Sequence, residues 1–214
     1  MLDELLAHPG VEEVIELRSR FGFMAYHGGN LEELTDVVAA AAAERSGSSL
    51  YAVIQPPDLR WHIPSTSVRP EHSSGLRRFL DHVQVVVTVH GFGREGYWTS
   101  LLLGGSNRRL ADHLGRHLRP ALPDYDIVTE LERIPARLRG LHPENPVNLP
   151  EGGGVQLELP PRVRGKSPIW ADFEGPGLVP HTEALIGALA DAARAWSQGE
   201  MRSMTQRPGG STHR

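Results

Sequence analysis

Three segments of this chain place chemistry-bearing side chains in apolar surroundings. Met24-Ala25-Tyr26 leads into His27-Gly28-Gly29-Asn30-Leu31-Glu32, which sets an imidazole and a carboxylate five positions apart across a glycine turn. Val83-Gln84-Val85-Val86-Val87-Thr88-Val89 ends in His90-Gly91, so a second imidazole stands at the carboxyl end of a strand, where open α/β sheets bind their ligands. Gly152-Gly153-Gly154-Val155-Gln156-Leu157-Glu158-Leu159-Pro160 carries a carboxylate into a strand-like run, where an unpaired charge is costly. Two imidazoles and a carboxylate are the protein ligands of a hydrolytic zinc site, whose open position holds a water with its pKa lowered to about 7. His27, Glu32 and His90 are the candidate ligands. Glu158 is the candidate general base, taking the proton of that water and passing it to the leaving amine of an amide. Negative charge on the tetrahedral intermediate calls for a cation, and Arg94, Arg108 and Arg109 lie on loops or helix starts after strand ends.

Each feature alone has a plainer reading. Glu32 would be a favourable charge in a helix's first turn, and Glu158 a salt-bridge partner of Arg162 or Arg164. The combination is what points to a metal centre. His113 and His117 are spaced i, i+4 but lack the intervening glutamate of a zincin, so they read as a solvated helix face.

The elements that must position these residues follow from periodicity and breakers. Met1 to Ala7 reads as a short helix, and Val11 to Arg18 with Gly22 to Tyr26 as a hairpin entering the sheet. Asn30 is expected to cap a helix running through Leu34 to Glu44, with Glu33 as its capping-box partner. That leaves Glu32 free to face His27. Leu50 to Gln55 is a strand, Glu71 to His82 a helix, Trp98 to Leu103 a strand, and Asn107 to Leu118 a helix with Leu110, Leu114 and Leu118 on one face. Tyr125 to Leu131 and Val155 to Leu159 complete the strands. Residues 134–154 read as a structured loop, and Pro180 to Trp196 as the last helix. Strands alternating with helices predict an α/β three-layer sandwich with a mixed, largely parallel central sheet. Residues 1–197 would form a single catalytic domain and 198–214 a disordered tail.

Composition narrows the partners. A formal net charge of −4 over 214 residues gives no electrostatic footprint for nucleic acid. With no cysteine, thiolate metal sites and cysteine nucleophiles are excluded, and histidine must supply any nitrogen ligand. No apolar run approaches a membrane span, and the first ten residues carry Asp3 and Glu4 where a signal peptide would be basic. The expectation is a cytoplasmic monomer, with release by lysis or another export route left open.

At these residues the sequence resembles the phage and bacterial poly-γ-glutamate hydrolase family, zinc peptidases with a carboxypeptidase-like fold. The resemblance spans His27 to Pro160. It rests on the order of His27-Gly28-Gly29-Asn30-Leu31-Glu32 with Thr35, Trp61-His62-Ile63-Pro64-Ser65-Thr66, Val89-His90-Gly91, Leu103-Gly104-Gly105-Ser106-Asn107-Arg108, the segment from Gly140 to Asn148, and Gly153 to Pro160. Pro64 departs from the pattern, where threonine is expected. The resemblance implies one zinc ion on His27, Glu32 and His90, Glu158 as base, and a γ-glutamyl polymer as substrate. Arg94 and Arg108 are then candidates for the catalytic cation, and Arg109, Asn145 and Asn148 for substrate binding. The alternatives are a deacylase of N-acyl amino acids, of the succinylglutamate desuccinylase or formylglutamate deformylase type, and a glutamyl-binding module without catalysis.

Overall fold

A run such as Phe21–Gly29, apolar on both faces, is stable only when both faces are covered, and this requirement organises the sheet. The computed structural model describes residues 1–205. In chain order the helices are α1 (Leu2–Leu6), α2 (Thr35–Ser46), α3 (Ser74–His82), α4 (Arg108–Ala121) and α5 (Pro180–Thr205). The strands are β1 (Glu12–Glu16), β2 (Phe21–Gly29), β3 (Ser49–Gln55), β4 (Val85–Gly91), β5 (Ser100–Leu103), β6 (Asp126–Val128) and β7 (Gly154–Leu159). They form one seven-stranded sheet in the order β1-β3-β2-β4-β7-β5-β6. β3, β2, β4 and β7 run parallel, as do β5 and β6. β1 is antiparallel to β3, and β5 to β7.

Alternate residues feed two apolar layers. Phe21, Phe23, Val85, Val87, Val89, Val155, Leu157 and Leu159 pack with α2, α4 and α5. Met24, Tyr26, Tyr51 and Val86 pack with Leu76 and Phe79 of α3 and with Leu2 and Leu5 of α1. The expected three-layer sandwich is thus present, with a largely parallel sheet in the middle. The final helix continues past Trp196 to Thr205; of the segment 198–214 expected as a tail, residues 206–214 lie outside the described residues.

Two local expectations are corrected. β1 does not form a hairpin with β2; it pairs with β3 at the edge of the sheet. β2 is buried along its length and takes neighbours on both sides, whereas β1 carries Glu12, Glu13 and Glu16 and suits an edge. The helix after the glycine turn starts at Thr35 rather than Asn30, with Leu34 before it in the left-handed region at φ 72°. Such a conformation costs a bulky residue about 1–2 kcal/mol. It leaves Asn30 bonded to the Leu59 carbonyl and Glu33 paired with Lys166, not closing a capping box.

β2 and β4 lie side by side at the centre, with β2's onward connection leading to β3 on one side and β3's leading back across to β4 on the other. This reversal opens a crevice at the carboxyl ends of the two strands. Gly29, at that end of β2, has φ 68°, and a Cβ there would sit 2.1 Å from the Gln55 carbonyl oxygen. Gly29→Ala is expected to lower stability by at least about 2 kcal/mol, read as a reduced denaturant midpoint.

Candidate metal centre

The crevice between β2 and β4 collects three of the residues singled out above. His90 is the penultimate residue of β4. His27 lies where the β2–β3 register slips, between Ala25 and Gly28, an irregularity of the kind that re-aims a side chain. Glu32 sits on the turn leading to α2, its N–H bonded to the His27 carbonyl. His27 Nδ1 is 2.9 Å from Glu32 Oε1, and His90 Nδ1 is 3.2 Å from Oε2. One ligand atom from each of the three lies within 4.8 Å of the others, and both histidines are buried.

The outer partners orient the two rings. His27 Nε2 is 2.9 Å from the Ile63 carbonyl oxygen, which only accepts, so Nε2 donates there and Nδ1 is the atom turned to Glu32. His90 Nε2 is 3.0 Å from Tyr26 Oη, an arrangement that likewise leaves Nδ1 inward when Nε2 donates. Burial keeps the Tyr26 hydroxyl far above its ordinary pKa. An ionised carboxylate accepts from each Nδ1 only through a proton, a place that a metal cation can take, and imidazoles held through their second nitrogen are the usual surroundings of a metal. The residues therefore fit a metal ion, which His27 Nδ1, Glu32 and His90 Nδ1 would hold.

The charge balance agrees. Burial opposes ionisation of Glu32, but the two imidazoles outweigh it and hold the carboxyl well below the usual range. Burial also opposes a charged His90; the Glu32 carboxylate reverses that and leaves its pKa above the ordinary value. The Gly91 N–H adds a 2.9 Å bond to Glu32 Oε2.

Glu158 is the register partner of His90 on the neighbouring strand and is only 4% exposed. Burial pushes its carboxyl up to about 7, with His90 pulling it back in part and Glu32 adding to the rise. Gln156 Nε2 donates to Glu158 Oε1 at 2.8 Å, and Asn145 Nδ2 donates to Gln156 Oε1 at 2.8 Å. This chain fixes the orientation of the carboxyl. It also carries a consequence for stability. Unfolded, the group titrates near 4.5; folded, it holds its proton to about 7, so the metal-free protein loses stability as pH rises between those values. Glu158→Gln removes the loss. In chelator the variant is expected to be more stable than wild type at pH 8, by up to about 3 kcal/mol, and the gap to close towards pH 5.

The remaining candidates are placed otherwise. Arg94 is exposed on the loop after β4, its guanidinium 5.7 Å from the Tyr97 ring centre. Arg108 donates to the Leu103, Gly105 and Thr129 carbonyls. With Arg109 it lines a cavity shared with Gln84 and Gly152, residues that precede β4 and β7, so both arginines stand at the opposite end of the sheet from His90. β5 is antiparallel to β7, and the helix that follows it starts at that far end. Asn145 acts on Glu158 through Gln156, and Asn148 braces the loop by donating to the Gly140 and His142 carbonyls.

Sequence reasoning passed over Gln156, Tyr26 and the role of Arg164. Arg164 is 8% exposed. It donates from Nη1 to the Glu33 carbonyl at 2.8 Å and from Nε to the Leu159 carbonyl at 3.2 Å. Burial depresses its pKa, while Glu32, Glu33 and Glu158 offset part of that. The available signal was its place, six residues after the base and beyond the same strand end. His62 stands nearby, its ring centre 4.8 Å from that of His27.

The poly-gamma-glutamate hydrolase family profile matches residues 3–170. The chain belongs to that family. It is accordingly a hydrolase acting on amide bonds. Among solved structures, a bacteriophage poly-gamma-glutamate hydrolase superposes with a TM-score of 0.71 at 20% identity, covering 94% of this chain and 95% of the other. YNDL in a zinc-free form gives 0.63 at 18% identity over 89% and 90%. A metallo-carboxypeptidase from Burkholderia cenocepacia gives 0.52 at 11% identity over 94% and 68%. At these identities the likeness is one of fold. No curated protein matches the sequence. Among the described residues no helix is long and apolar enough to cross a membrane.

Proposed function

We propose that this hydrolase is zinc-dependent and cleaves γ-glutamyl amide bonds, with His27, Glu32 and His90 as ligands and Glu158 as base. The observation that carries the reading is the pairing in register of His90 with Glu158, beside two Nδ1 atoms turned on one carboxylate. Two histidines and a carboxylate are the usual protein ligands of catalytic zinc. The choice of metal also draws support from YNDL, a protein of the same fold whose apo form is described as zinc-free. Zinc held there supplies Lewis acidity, polarising a carbonyl and making water acidic enough to ionise near neutral pH.

The protein's own residues do the rest. Glu158, oriented by Gln156, accepts a proton from water and delivers it to the departing amine nitrogen. Burial raises its carboxyl above the ordinary carboxylate range in the metal-free protein, the direction that a group taking and returning a proton near neutral pH requires. Ile63 and Tyr26 hold the two imidazoles so that the Nδ1 atoms stay inward. The preference for γ-glutamyl bonds draws on family membership.

The test is incubation of zinc-loaded protein with poly-γ-glutamate, following product size and free amine. Shortened chains and new amines, abolished by chelator and restored by zinc, are expected. Release of acid from N-succinylglutamate or N-formylglutamate with the polymer untouched would replace this reading with a small-molecule deacylase. Ligand binding without turnover on either would leave a binding module.

A further inference from the structure

Arg164 brings together the three segments that carry the centre. Its two backbone acceptors, the carbonyls of Glu33 and Leu159, belong to the residues directly after Glu32 and Glu158. Its guanidinium lies over Gly91, directly after His90, where a Cβ would meet Cζ and Nη1 at 2.8 Å. A buried guanidinium ordinarily has a carboxylate against it. None lies within 4 Å of Arg164 among the described residues; the arginines paired with Glu183, Glu144 and Asp126 are exposed ones. Its Nη2 donates to no described residue.

The nearby negative charges are Glu32, Glu33 and Glu158. Glu33 is taken by Lys166 and Arg60, and Glu32 is turned toward the two histidines. With a dication on that ligand set, the carboxylates no longer balance the arginine, and the crevice carries net positive charge beside a guanidinium with donors to spare. Such a place suits a carboxylate.

We propose that Arg164 binds the carboxylate on the acyl side of the scissile bond, the group that distinguishes a γ-glutamyl unit from a plain 4-aminobutyryl unit. This rests on the metal-centre reading above and makes substrate recognition depend on a residue whose position the backbone itself sets. The charge ordered by Glu33 and Leu159 costs the substrate little entropy to meet.

The experiment compares γ-glutamyl-p-nitroanilide with 4-aminobutyryl-p-nitroanilide, which differ only in that carboxylate, on zinc-loaded wild type and Arg164→Gln with metal content checked in both. Wild type is expected to favour the carboxylated substrate roughly 10- to 100-fold, chiefly through KM, and the variant to lose the ratio. Equal losses on both substrates would overturn the proposal and leave Arg164 a structural clamp. Should wild type cleave neither, calorimetry with L-glutamate and 4-aminobutyrate on the same two proteins separates the questions. A wild-type preference for glutamate that the variant lacks upholds Arg164 while the hydrolase reading fails, and indifference in wild type overturns Arg164. Arg164→Lys serves if the glutamine variant does not fold. Lysine cannot keep both carbonyl bonds and the outer donors, so its ratio is expected to fall about tenfold, and an undiminished ratio would overturn the proposal.

Discussion

Glu158→Gln is expected to lower kcat on a γ-glutamyl substrate by roughly 10²- to 10⁴-fold while the protein still binds one zinc per chain. Gln matches the shape of Glu and can still accept the hydrogen bond from Gln156, so the fold and the ligand set are undisturbed. What it lacks is the ability to take a proton. The loss belongs in kcat, because the group acts on water and on the leaving nitrogen rather than on the bound ground state. Turnover and metal content on the same preparation check it. Undiminished turnover would remove Glu158 from the mechanism and turn attention to His62, the neighbouring titratable group at the His27 ring.

His90→Ala carries the other large effect. It deletes one of the three proposed ligands and also the hydrogen-bond partner of the buried Tyr26 hydroxyl. Zinc content is expected to fall from about one per chain to near zero, and turnover to fall with it to background. Elemental analysis of untagged wild type and variant decides the matter directly. Full zinc occupancy in the variant would place the ion elsewhere. Absence of zinc from wild type after incubation with the metal would sink the proposed zinc-dependent mechanism.

Much of this centre is legible in the sequence because its residues sit where strand geometry allows little choice. Apolar runs that stop at His-Gly put His27 and His90 at the carboxyl ends of buried strands, and a carboxylate inside an apolar run is costly enough to need a reason. What the sequence leaves open is pairing. Strand direction is set by the neighbour, and the neighbour of β5 is β7, some fifty residues later. Arg108 and Arg109 therefore look, along the chain, as close to the site as Arg94 does, and only the antiparallel pairing sends them to the far end. The mistaken hairpin has the same origin, since β3 supplies the partner that local proximity assigned to β2. Asn30 and Glu33 satisfy the pattern of a capping box, yet the turn goes on to Leu34 and keeps Glu32 off the helix and against both imidazoles. Local propensity gave way there to a demand made from 58 residues away.

The clasp of Glu32 between two Nδ1 atoms also bears on how metal enters. In the metal-free protein the two imidazoles keep the Glu32 carboxyl ionised, and that carboxylate in turn keeps His90 readily charged. On the proposed reading, loading a dication would displace a proton, with the amide of Gly91 and the carbonyl of Ile63 holding the frame. Occupancy would then be a competition decided by acidity as much as by metal supply, each step toward lower pH favouring the proton over the metal.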